Sequence, residues 1–296
     1  MGSFPKNLTM IRTTISVSVM ALALQAGAQD LPMPSPHGEV EQVIGLTEVE
    51  VSYSRPSARD RKVFGDLVPY GKLWRTGANQ CTNVEFDGPV LFGDAKVAEG
   101  SYCLFTIPDQ EGWVFILNSD TSLWGTDGYD EAKDVARVKA AVSKNEWTET
   151  LGISFDAVKD DKARMDLRWT DVLVSVWIKA DSREKAMANI KKAVSDPEAD
   201  FRVFNSCARY YVDNDIEPEQ ALTWARKSVE LDKRFWNLHT LALAEAANGK
   251  YGEAMRTAEE SMTMAQKAEY EPYVKMNKEK MDEWRMAMGK EKSKGK

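Results

Sequence analysis

Ile153–Ala180 reads ISFDAVKDDKARMDLRWTDVLVSVWIKA, and its hydrophobic period is two, the signature of half-buried strands. Ile153, Phe155 and Ala157 alternate with polar residues, Lys159–Lys162 turns the chain, and Met165, Leu167 and Trp169 repeat the alternation. Thr170-Asp171 reads as a two-residue connection, after which Val172, Val174, Val176 and Ile178 run back. At Asp181 the period becomes that of a helix. That single change of period divides the chain into a β part and an α part.

Upstream, Val49, Val51 and Tyr53 share one face of Glu48–Tyr53, and Val84 and Phe86 follow before Gly88-Pro89 breaks the pattern. Ser101–Ile107 and Trp113–Leu117 are apolar on both faces, as strands are when each side is covered. Short strands separated by turns at this spacing predict an antiparallel β-sandwich or barrel of about eight to ten strands over residues 46–180.

Downstream, Ala186, Ile190, Ala193 and Val194 form one apolar stripe, and further helices are expected near Phe201–Val212, Pro218–Leu231, Phe235–Asn248, Tyr251–Ala268 and Tyr273–Met288. EQALTWARKSVEL (Glu219–Leu231) overlays GEAMRTAEESMTM (Gly252–Met264) at an offset of 33, with Ala221 on Ala254, Ala225 on Ala258 and Ser228 on Ser261. Paired helices recurring near about 34 residues look tetratricopeptide-like, an ordinary helical bundle being the alternative. Residues 181–289 are therefore expected to form an all-α repeat domain that offers a surface to a protein partner. So few repeats make a thin core, so the array is expected to lean on the sandwich.

The chain has 296 residues, 43% apolar and 29% charged, with a net charge of −7. An acidic chain of this kind argues against nucleic acid as a partner. Residues 1–28 read as a secretory signal: Lys6 and Arg12, the apolar run Ile15–Leu24, then a small-residue cleavage site ending at Ala28. Its removal takes the net charge to −7 − 2 = −9. The run is too short to span a bilayer, so no transmembrane segment is expected and the mature protein is read as periplasmic or secreted. Residues 29–45, with Pro32, Pro34 and Pro36, read as an extended leader, and the basic residues 290–296 as a frayed tail.

Only His37 and His239 are present, and no CxxC, HExxH, GxSxG or glycine-rich phosphate loop occurs. No cofactor or metal is expected on those grounds. Carboxylates gather at Asp120, Asp127, Asp130, Glu131 and Asp134, where they could offer oxygens to Ca²⁺ or an acid–base pair, although the spacing matches no EF-hand and such residues in a Gly-broken loop are usually just solvated; Trp124 and Tyr129 beside them could wall a sugar or apolar ligand or simply pack. Cys81 and Cys103 either form a disulfide or stay as buried free thiols, as Cys207 would; the position of Cys81 on the polar side of its strand counts against the bridge.

The best candidate for a site is Ser54–Gln80, SRPSARDRKVFGDLVPYGKLWRTGANQ, which is cationic in an acidic chain and dense in Pro and Gly. One reading makes it a pocket for a small polar or anionic ligand, with Arg55, Arg61, Arg75 and Asn79 as polar contacts, Trp74 as floor, and Trp124 and Tyr129 from the acidic loop alongside. In the other, the arginines satisfy main-chain carbonyls and Phe64 and Trp74 plug the open end of the sandwich.

YSRPSARDRKVFGDLVPYGKLWRTGAN, VAEGSYCLFTIPDQEGWVFILN and Trp124-Gly125 resemble the bacterial DUF2911 family, a domain of unknown function, over roughly Thr47–Lys179. The resemblance implies an exported protein, some members carrying a similar helical extension; it brings no activity and no catalytic residue. Small or polar residues are more usual there at Cys81 and Cys103, and the arrival of two cysteines together favours the disulfide. The expectation is thus a non-enzymatic, envelope-associated binding module. The alternative is a carboxylate- and arginine-based enzyme acting on carbohydrate or another envelope component.

Overall fold

A computed structural model describes residues 31–294, with side chains to residue 289, so the signal segment lies outside the described residues. The β domain comprises β1 (His37–Ile44), β2 (Thr47–Ser54), β3 (Thr82–Phe86), β4 (Val90–Phe92), β5 (Ala95–Val97), β6 (Gly100–Ile107), β7 (Gly112–Asn118), β8 (Asp134–Lys159) and β9 (Lys162–Ala180). They form one nine-stranded antiparallel sheet in the order β1-β2-β3-β6-β7-β8-β9-β4-β5, open at both edges.

A long twisted sheet with one apolar face must curl to bury it. Here β8 makes the turn: it pairs with β7 up to Ala141, then with β9 from Val142, through successive register shifts. The sheet folds back on itself as two layers. Val49, Val51, Val84 and Phe86 of one layer meet Leu151, Met165, Leu167 and Val174 of the other in one core.

Two expectations along the strands are corrected. Residues 37–44, read as leader, form edge strand β1, because all three prolines precede His37 and leave the ladder to β2 intact. Thr170-Asp171 is no connection. β9 runs through it, with Thr170 in the left-handed region (φ 54°) opposite Thr148, so the residue absorbs a register shift.

The α domain comprises α1 (Arg183–Val194), α2 (Phe201–Asp213), α3 (Pro218–Leu231), α4 (Phe235–Ala247), α5 (Tyr251–Lys267) and α6 (Glu271–Lys294). α2 packs on α3, α4 on α5, and α6 on α5. The internal likeness has a bonding counterpart. Ser228 Oγ donates to Phe201 O (2.7 Å) and accepts from Asn237; Ser261 Oγ donates to Phe235 O (2.6 Å) and accepts from Asn277. A buried serine thus ties each helix pair to the next. Buried alanines at Ala221, Ala225, Ala254 and Ala258 let the helices come close.

The expectation that the array leans on the sandwich is also corrected. Each domain has its own apolar clusters, and among the described residues no helix packs along a sheet face. The join is polar and small: Leu46 N donates to Ser182 Oγ (2.8 Å), and Lys185 Nζ donates to Leu46 O (2.7 Å) and Asp87 (3.3 Å). A β-carbon added at Gly45 would meet the Ser182 hydroxyl, which would have to turn away from Leu46 N. The buried apolar side chains of the helices pack mainly against one another.

Candidate functional site

Most of the Ser54–Gln80 guanidinium groups are turned onto backbone. Arg55 Nε donates to Leu151 O (3.0 Å), with its guanidinium 6.0 Å from the Tyr53 ring. Arg59 donates to Pro34 O (2.8 Å), and Arg61 to Ala58 O (2.9 Å) and Ser57 O (2.8 Å). Trp74 donates its indole N–H to Gly77 O (3.1 Å) and lies among Phe64, Trp113 and Trp169 at centroid separations of 5.9–6.3 Å. Those rings belong to the core between the layers. The loop therefore closes one end of the sandwich, with its rings inside and its arginines stitching the rim.

Arg75 is different. Trp74 and Thr76 on either side of it are buried, while Arg75 itself is partly exposed. Its Nε is buried without a partner, and its guanidinium lies beside Gly125, where an added methyl would sit 3.7 Å from it. Gly125 belongs to the 119–133 loop, which folds over the outer face of the sheet and covers Cys81, Cys103, Phe105 and Ile116 with Leu123 and Tyr129. This cover explains the disulfide that joins Cys81 to Cys103: the polar side of that strand is roofed, not solvated.

Gln80 pairs with Trp124, and Cys81 N donates to Leu123 O (3.2 Å), so the two loops share an edge. Trp124 is 63% exposed on that edge. Asn79 adopts a left-handed backbone (φ 59°) and donates to Ser54 Oγ (3.1 Å).

Beside Gln80 is a polar hollow of about 370 Å³, with Ser52, Ser54, Asn83, Ser101 and Thr121 among its lining residues. Ser52, Asn83 and Cys103 face one another across β2, β3 and β6. The Asn83 side-chain oxygen is buried and has no hydrogen-bond partner. Sequence reading missed these residues, although period two already places Ser52, Ser54 and Asn83 on the outward face. On the next row Glu41, Glu50 and Glu85 stand side by side. Glu50 holds its proton above the usual carboxylate range, first through a hydrogen bond with Glu39, then through partial burial and the charges of Glu39, Glu85 and Glu41.

Most of the carboxylates of the acidic loop are engaged by the loop itself or by the strands that flank it. Lys133 and then Ser122 hold Asp120 down to about 2, and Asp130 accepts from Ala132 N (3.0 Å). Asp134 accepts from Asn118 (2.8 Å), Tyr129 (2.7 Å) and Arg137 (2.6 Å). Burial first, then Asp134, pushes the Tyr129 phenol up to about 12. Among the described residues, neither Asp127 nor Asp130 pairs with Arg55 or Arg75, and no three His, Cys, Asp or Glu side chains converge as metal ligands would.

The chemistry on this face is hydrogen bonding to a polar guest, with one guanidinium and one exposed indole at its border. No curated protein and no solved structure matches the chain. Residues 35–178, the span of the β domain from just before its first strand almost to the end of its last, match the family model described as a protein of unknown function, so the β domain belongs to the DUF2911 family.

Proposed function

We propose that the protein is an exported binding module whose β domain takes a small polar, hydroxyl-bearing ligand in the hollow around Asn83. The observation that carries this is the Asn83 oxygen, an acceptor withdrawn from water and left without a donor. Such a group costs about 1–3 kcal/mol unless something supplies the missing bond. Ser52, Ser54, Ser101 and Thr121 add neutral donors and acceptors around it. Along the shared loop edge, Trp124 offers an aromatic face and Arg75 a guanidinium for an anionic substituent.

The helical domain supports a protein partner on independent grounds. A hollow of about 490 Å³ is lined by Arg202, Asn205, Phe235, Trp236, Tyr270 and Tyr273, and the Asn205 oxygen is buried without a partner. Aromatic walls with an amide among them suit an extended peptide.

A thermal-shift and calorimetric screen of free sugars, sugar acids and sugar phosphates tests the β-domain reading. Asn83→Ala is expected to abolish binding while leaving the unliganded protein as stable or slightly more so, because the orphaned acceptor is gone. Arg75→Ala is expected to weaken only the anionic members of the series. Retention of full affinity by Asn83→Ala would sink the proposal.

A further inference from the structure

The outer face of the sheet around the Asn83 hollow is laid out in rows. Glu39, Ser52, Asn83 and Cys103 stand opposite one another across β1, β2, β3 and β6, and Glu41, Glu50, Glu85 and Ser101 make the next row. Rows two residues apart on one face are separated by about 7 Å. The hollow reaches both, since Ser52 and Asn83 of the first and Ser101 of the second line it. Ser101 also donates to Glu85 Oε2 (2.9 Å), which ties that carboxylate to the wall of the hollow.

Like charges directly opposite each other weaken a sheet, yet Glu41, Glu50 and Glu85 follow one another across three strands, with Glu39 diagonal to Glu50. Among the described residues no lysine or arginine pairs with any of the four. Glu50 relieves the crowding by holding its proton above the usual carboxylate range, first through its hydrogen bond with Glu39.

The groups left wanting here are acceptors. The Asn83 oxygen is withdrawn from water with no donor, and ionised carboxylates only accept. A guest that answers both carries donors and positive charge. The carboxylates do not converge in threes, as ligands of a single metal ion would. An ammonium group instead brings three donors and no acceptor, and needs only one face of the row.

Resting on the reading of this hollow as a site for a hydroxyl-bearing ligand, we propose that the ligand is an amino sugar bound in its ammonium form. Its hydroxyls meet Ser52 and Asn83, and its ammonium group stands against Glu50 and Glu85 on the next row. The distance between the rows is that of a reach across one sugar ring. Complementary charge selects the amine, and the orphaned Asn83 acceptor fixes where the ring lies.

The test is calorimetry at about pH 6, where a hexosamine carries its proton. Glucosamine, galactosamine and mannosamine are each titrated into the protein beside the parent hexose and its N-acetyl derivative. At least one hexosamine is expected to bind about tenfold more tightly than both of its neutral counterparts. Glu50→Gln keeps the size and an acceptor but removes the charge, so it should abolish that preference and leave the neutral hexose bound as before. Glu85→Gln should reduce the preference about threefold, as an exposed charge does. Both variants should melt no lower than the native protein, because each removes a like charge from the row. Asn83→Ala should abolish binding of amine and hexose alike. A hexose that binds natively but not in Asn83→Ala, with its hexosamine no tighter, overturns the amine assignment and leaves the hollow a sugar site. Failure of every sugar removes both readings. A preference that survives in Glu50→Gln or Asn83→Ala places the amine elsewhere on this acidic chain and likewise overturns the proposal.

Discussion

Tyr129 shows how one residue joins the roof loop to the sheet. Its ring packs edge-on against Phe105 at 5.2 Å, and its hydroxyl donates to Asp134, whose side chain is 6% exposed. Tyr129→Phe keeps the ring and removes the donor from a carboxylate that Asn118 and Arg137 still hold. The expected cost is about 1.5–3 kcal/mol in urea unfolding, the range for a hydrogen bond to a charged group. The phenol also sets a pH dependence. Its folded value of about 12 lies above its ordinary value of 10.0, so the folded state binds the proton more tightly than the unfolded one. This contribution is complete below pH 10 and is lost as pH rises towards 12. Unfolding midpoints measured across that window should fall in the native protein and fall less in Tyr129→Phe; parallel slopes would refute the assignment.

At the scale of elements, the β8–β9 hairpin carries a charge clamp on its outward face. Asp166 is 0% exposed and accepts from Arg164 (2.6 and 2.8 Å), Arg168 (2.7 Å) and Ser175 (2.6 Å), while Arg168 also reaches Asp156 (2.8 Å). The long strands need such a cross-tie, because their pairing is interrupted by register shifts on both sides of Thr148. Asp166→Ala strands Arg164 and leaves Arg168 to Asp156 and Ser154; because both guanidinium groups are partly solvated, the expected cost by chemical denaturation is about 2 kcal/mol, below that of breaking a fully buried pair. A loss under about 0.5 kcal/mol, ordinary for an exposed pair, would show that the clamp is solvent-screened.

Over the whole molecule, separate cores and a polar join predict separate unfolding. Far-ultraviolet circular dichroism at the helical minimum should report the α domain, and near-ultraviolet ellipticity, to which six β-domain tryptophans contribute against Trp224, Trp236 and Trp284 of the helices, should weight the β domain, with non-coincident midpoints. Reduction of Cys81–Cys103, a bridge across 22 residues of the β domain, should lower the β transition alone, by about 3 kcal/mol in the chain-entropy model. A single transition, or a reductant effect on the helical signal, would mean that the join couples the domains more strongly than its few hydrogen bonds suggest.

What the sequence determined by itself was local and periodic. Val49, Val51, Tyr53, Met165, Leu167 and Trp169 announced inward strand faces, Asp181 marked the change to helix, and Ser228 and Ser261 marked the repeat, because side-chain period follows from backbone geometry alone. Local sequence could not decide between two fates for the arginines of Ser54–Gln80. Arg55, Arg59 and Arg61 turned to carbonyls that the folded chain happened to bring within reach, Leu151 O among them, nearly a hundred residues away. Asn83 looked like any outward strand residue until the neighbouring strands and the 119–133 loop withdrew water from it. Burial of a polar atom is a property of segments distant in the chain meeting in space, so only the tertiary structure decided the hollow at Asn83.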